Sequence, residues 1–256
     1  MRPCLLACII FLATWIGGVA CESFIDPDGR EVSPLEIESV YPDLYDTDFA
    51  PNDAIRIKFN KHLDSNYLMT SQLQLRSGNV GKWLMAYYDP IRMELVVWTS
   101  SPLFENTVWD FNIIDELRAL DGTVLQPTEV TRFRTDTTLI STPVFARKSF
   151  TDDIQPIFNR HCIQCHGKTQ YTSLDLRNDN SIGATAINIV SIGWPELDRI
   201  SPYRPGASYL LYKLLGSENI AGQPMPRTLE HESQPTQLSD EEKRTISDWI
   251  AGGAIF

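Results

Sequence analysis

Within the stretch Asn159 to Thr169, "NRHCIQCHGKT", three residues combine reactive types with a spacing that chemistry uses: Cys162, Cys165 and His166. Two thiols separated by two residues can close a redox disulfide, supply half of a zinc site, or anchor a haem covalently. Each reading demands different company. A redox pair of the thioredoxin kind sits where a strand feeds a helix in a βαβ unit, and here a helical pattern precedes the pair. A structural zinc needs four protein ligands and a catalytic zinc three. The further candidates are His161, which adjoins Cys162 in sequence, and His231, and no second paired motif accompanies them.

The haem reading uses all three residues, with the thiols adding across the vinyl groups and the imidazole taking one axial position on the iron. The other axial position then needs a ligand. Met225, in "AGQPMPR", is the methionine that follows the motif. Pro224 and Pro226 flank it, so it cannot be a filler in the middle of a helix. His231, between Glu230 and Glu232, is the rival.

Two regions with different patterns must position these residues. Between Pro34 and Asp136 the period is two: "AIRIKFN" puts Ile55, Ile57 and Phe59 on one face, and "TVWDFNI" does the same with Trp109, Phe111 and Ile113. "LQLRS", "KWLMAYY", "MELVVWTS" and "TRFRT" are further strand candidates, separated by turn signals such as Asp121-Gly122, and together they predict an antiparallel sandwich. The methionines Met69, Met85 and Met93 lie among these strands, where core packing is the default.

From Phe150 onward the pattern is helical. "FTDDIQPIFNRHC" places Ile154, Ile157 and Phe158 on one face, with Pro156 near the start. "ASYLLYKLLG" predicts a short helix ended by Gly216. The last helix opens on a Ser239/Glu242 capping box, carries Ile246, Trp249 and Ile250 as its apolar stripe, and stops at Gly252-Gly253. So few helices over so long a stretch predict a unit that packs around something else.

The order of pieces "SVYPDLYDTDFAPNDAIRIKFNKHLD", "LFENTVWDFNIIDELRALDGTVL" and "TRFRTD" resembles the bacterial Ig-like domain of S-layer-type surface proteins. That likeness implies a fold and no chemistry. The order of amphipathic helix, "CIQCH", loop region, "MP" and final helix "LSDEEKRTISDWIAGGA" resembles class I c-type cytochromes. This second resemblance implies one covalent haem c, with Cys162 and Cys165 as thioether anchors, His166 as proximal ligand and Met225 as distal ligand. It also implies contact between Phe158 and Trp249. "SIGATAINIVSIGWPELDRISPYRPG" matches no segment of the family and leaves the partner of the His166 imidazole unassigned.

The chain begins with Met1-Arg2, an apolar run "LLACIIFLATWIGGVA" and small residues before Cys21, the pattern of an export signal. "GVAC" resembles a lipobox, which implies lipidation of Cys21, although Gly18 stands where that pattern usually has leucine. Of the five cysteines, Cys4 and Cys8 lie within the signal. The net charge is −11, and Glu22 to Asp53 holds ten acidic residues against one base, Arg30. No basic patch suggests a nucleic-acid partner.

The expected organisation is a signal peptide over 1–20, an acidic tether over 21–33, an all-β Ig-like sandwich over 34–140 and an all-α cytochrome c fold over 141–256. The expected function is that of a membrane-tethered electron carrier rather than an enzyme, with other redox proteins as partners, outside the cytoplasmic membrane. Two alternatives stand beside it. One is a haem-based sensor or peroxidase-like enzyme with a labile Met225, and the other is a surface adhesion or scaffold protein whose Ig-like domain carries the function.

Overall fold

The computed structural model describes residues 24–25, 31–141, 144, 147–167, 173–227 and 237–256. The signal segment, Cys21 and His231 lie outside the described residues. The chain divides into two units, Met1–Pro34 and Leu35–Phe256. In the first, strands β1 (Phe24–Ile25) and β2 (Glu31–Val32) pair antiparallel.

In the second unit, ten more strands follow: β3 (Ile37–Tyr41), β4 (Ile55–Phe59), β5 (Leu73–Ser77), β6 (Val80–Gly81), β7 (Leu84–Asp89), β8 (Glu94–Thr99), β9 (Val108–Ile113), β10 (Leu117–Arg118), β11 (Val124–Leu125) and β12 (Thr128–Arg134). Two four-stranded antiparallel sheets, ordered β12-β9-β5-β6 and β3-β4-β8-β7, make the sandwich, and β10 pairs with β11 beside them. Alternation decides which side chains meet between the sheets. Ile55, Ile57 and Phe59 of β4 face Leu75, Trp109, Phe111 and Phe133 of the opposing sheet in one buried cluster. Met69 and Met85 are not part of it; they are 60% and 37% exposed, against the expectation of core packing.

Strands β7 and β8 break the alternation. Tyr87, Tyr88 and Asp89 are consecutive buried residues, and so are Leu95, Val96 and Val97. Their second face is covered by the rest of the chain, because Tyr87 and Val96 pack with Ala251 and Val144. At the same seam Asp89, only 1% exposed, accepts from Ser247 Oγ at 2.9 Å and pairs with Arg92, which also reaches Asp248 at 2.9 Å. The turn Pro205–Ala207 also presses on the sandwich: a Cβ on Gly206 would lie 2.1 Å from Ser65 Oγ and 3.0 Å from the Tyr88 carbonyl oxygen.

The remaining helices are α1 (Gln155–His161), α2 (Asp179–Thr185), α3 (Tyr209–Leu215) and α4 (Asp240–Ala251). A π turn, Phe150–Ile154, leads into α1, Pro156 stands in the first turn where its missing N–H costs least, and Gly216 ends α3 with φ of +70°. Serine 239 and Glu242 form the capping box of α4. Helices α1 and α4 pack through Phe158 and Trp249, whose rings meet edge-on at 6.3 Å, above Ile154, Ile246 and Ile250.

This arrangement overturns the expectation of a class I c-type cytochrome with an all-α fold over 141–256. The chain is predominantly β and sandwich-like, with short helices. α1, α2 and α3 have 7 residues each and α4 has 12. Between α2 and α3 the chain is largely irregular, stitched by the bridges Ile187↔Ile200, Val190↔Asp198 and Asp198↔Ser208. The physical reason lies in residues 186–206, "AINIVSIGWPELDRISPYRPG": the glycines, prolines and β-branched residues there stop helices and favour extended backbone.

Candidate functional site

Helix α1 ends at His161, and the chain then makes a single helical turn. Cys165 N–H donates to the Cys162 carbonyl at 3.2 Å, and His166 N–H donates to the same oxygen at 2.8 Å. The turn puts the two sulfurs three residues apart, on one face of a helical backbone, with the imidazole next in line. Gly167 must follow. A Cβ there would lie 2.5 Å from the Ile163 carbonyl oxygen, so the chain can leave the turn only through a residue without a side chain.

Both cysteines are thiols and partly buried. Burial, with Cys165 and Glu242 nearby, pushes the Cys162 thiol up to about 12. A reactive redox dithiol has instead a thiol depressed toward neutrality. Among the described residues no group of three His, Cys, Asp or Glu side chains could hold a metal ion. The zinc candidate His161 is employed elsewhere: its Nε2 meets Glu242 Oε1 at 3.1 Å, joining the end of α1 to the cap of α4.

The imidazole of His166 is half-buried, and its partner, unassigned in the sequence, is the backbone of Leu174. His166 also holds that loop through its own backbone, accepting from Leu176 N–H at 2.8 Å. Burial, followed by the positive charges of Arg199 and Lys213, holds the imidazole below its ordinary value, so the ring is neutral at pH 7 with a nitrogen able to act as a ligand. Met225 is half-buried. Its N–H donates to the Lys213 carbonyl at 2.8 Å, and the preceding Pro224 rests on Gly216 at the end of α3. Met225 thus sits against Lys213 of α3.

No family model matches the chain, and no curated protein matches it. Solved structures do. The N-terminal part of the bacterial S-layer protein SbsC is 12% identical with a TM-score of 0.33, over 45% of this chain and 25% of that one. An L,D-transpeptidase from Mycobacterium smegmatis is 10% identical with a TM-score of 0.28, over 41% of each chain. CopC from Methylosinus trichosporium OB3b is 12% identical with a TM-score of 0.30, over 42% of this chain and 99% of that one. The chain spans about a quarter of the S-layer fragment it matches. The predominantly β fold, with its short helices, does not support the electron-transfer identity that the motif order implied.

Proposed function

We propose that the protein is an exported scaffold of the cell envelope, in which the sandwich rigidly carries a C-terminal part with one attachment site for a covalent haem. The observation that carries the site is the Cys162–His166 turn. It sets two thiols on one face, and a neutral imidazole held from behind by Leu174 follows them. Each thiol would add S–H across one vinyl double bond, forming one C–S bond and leaving the hydrogen on the neighbouring carbon, with no net oxidation. Such a group would supply an iron centre, which His166 and Met225 would hold as ligands. Export is supported by the signal pattern ahead of Cys21, whose lipidation would tether the chain to a membrane.

Expression in a bacterial periplasm that attaches haem tests this reading. The wild-type chain should keep haem absorbance through denaturation and organic extraction, and Cys162→Ser/Cys165→Ser should lose it. A wild-type chain that emerges colourless contradicts the proposal.

A further inference from the structure

A cleft opens where the sandwich meets the Pro205–Ala207 turn, and it shares no residue with the Cys162–His166 turn. The sandwich lines it with Ser65, Thr70 and the apolar Leu68 and Ala86, and the C-terminal part with Arg204 and Ala207. Neither half forms it alone.

Its polar groups lack partners within the protein. Ser65 is only 9% exposed, and its Oγ is buried without a hydrogen bond. The Tyr212 hydroxyl beside it donates instead to the Gly206 carbonyl, at 2.8 Å. Arg204 is exposed, and among the described residues its guanidinium meets no carboxylate and makes no hydrogen bond. Other arginines of the same part are matched, Arg160 with Glu242 and Arg177 with Asp175. A buried hydroxyl without a partner is costly to keep, and a forked cation with no acid among the lining residues selects an anion.

Size and lining narrow the anion. The cleft has a volume of about 60 Å³. At roughly 10–15 Å³ per water-sized group, that is room for about four to six such groups. A carboxylate with one or two further carbons has this size. The wall of Leu68, Ala86 and Ala207 suits its alkyl end, whereas a fully hydrated inorganic oxyanion gains nothing from an apolar wall.

We propose that this cleft binds a short-chain carboxylate, with the Arg204 fork and the Ser65 hydroxyl on the carboxylate oxygens and the alkyl end against Leu68, Ala86 and Ala207.

The test titrates the full exported chain with sodium propionate at constant ionic strength and follows the backbone amides by NMR. Saturable shifts should appear at the amides of Ser65, Thr70, Arg204 and Gly206, while inorganic phosphate leaves them in place. Arg204→Gln should raise the apparent Kd by about tenfold. Arg204→Lys, which keeps the charge without the fork, should fall between, and Ser65→Ala should weaken binding severalfold. Because Arg204 is exposed, its replacement leaves the rest of the spectrum native, so lost binding is not lost folding. Shifts that grow without saturating, or an Arg204→Gln chain that binds as tightly as wild type, would mean that the cleft holds ordered water only and would overturn the proposal. Phosphate moving the same amides as strongly as propionate would overturn the carboxylate assignment.

Discussion

At the scale of single residues, the candidate site depends on what each side chain is denied as much as on what it offers. Burial pushes the Cys162 thiol up, His161 is committed to Glu242, and His166 is held by the Leu174 backbone. Gly167 is denied any replacement with a side chain by the Ile163 carbonyl. Gly167→Ala should therefore displace the turn that aligns the two sulfurs. The expected outcome is a folded chain with native circular dichroism and severalfold less covalently retained haem. Unchanged retention would show that the turn tolerates a side chain and that the close approach is not needed. The motif and the methionine were legible in the sequence because spacing and flanking prolines are local properties. The Leu174 backbone was not, since it lies outside the local motif and no periodic pattern points to it.

At the scale of elements, the placement of the turn depends on α1 crossing α4. Their contact combines the Phe158–Trp249 pair with a polar cluster in which Glu242 receives Ser239 N–H at 2.8 Å and meets Arg160 and His161. Burial pushes the Glu242 carboxyl up, but the Ser239 backbone and the His161 side chain outweigh it, so the net shift is downward. A depressed carboxylate contributes stability above its ordinary pKa of 4.5 and loses that contribution as the pH falls through its lower folded value. Ser239→Ala should cost about 1 kcal/mol at neutral pH. Chemical denaturation at several pH values checks both points. The cost of Glu242→Gln should be largest near neutrality and shrink below the ordinary carboxylate range; a cost independent of pH would remove Glu242 from this role. The helix, its cap and its stripe could all be read from sequence, since each is set within one or two turns. The absence of a surrounding all-α fold could not be inferred from those helices, because the extended, glycine- and proline-rich loop between α2 and α3 carries the difference.

At the scale of the whole molecule, the sandwich and the C-terminal part share one compact unit rather than standing as beads on a string. The seam combines apolar burial of Tyr87, Val96 and Ala251 with the Asp89, Arg92, Asp248 and Ser247 cluster. Removing the Asp89 carboxylate leaves a partly buried guanidinium with Asp248 alone. Asp89→Ala should destabilise by about 3 kcal/mol, and thermal unfolding should remain one transition that moves to lower temperature. Two separate transitions in the wild type would show that the halves fold independently. The sequence carried a sign of this seam: "MELVVWTS" is apolar on consecutive residues where a strand with one wet face would alternate, and that run reports burial on both faces.

Joining these scales, the sandwich fixes α4, α4 fixes α1, and α1 delivers the two thiols and the imidazole on one turn. The claim that this turn takes a covalent haem is tested most directly by the intact mass of the wild-type chain, exported, purified and fully denatured, beside its Cys162→Ser/Cys165→Ser counterpart. The expected result is a mass excess equal to one haem on the wild type, mapped to the peptide that contains Cys162 and Cys165, and none on the double variant. A wild-type mass equal to that of the mature polypeptide, or lower by the two hydrogens of a Cys162–Cys165 disulfide, would contradict it.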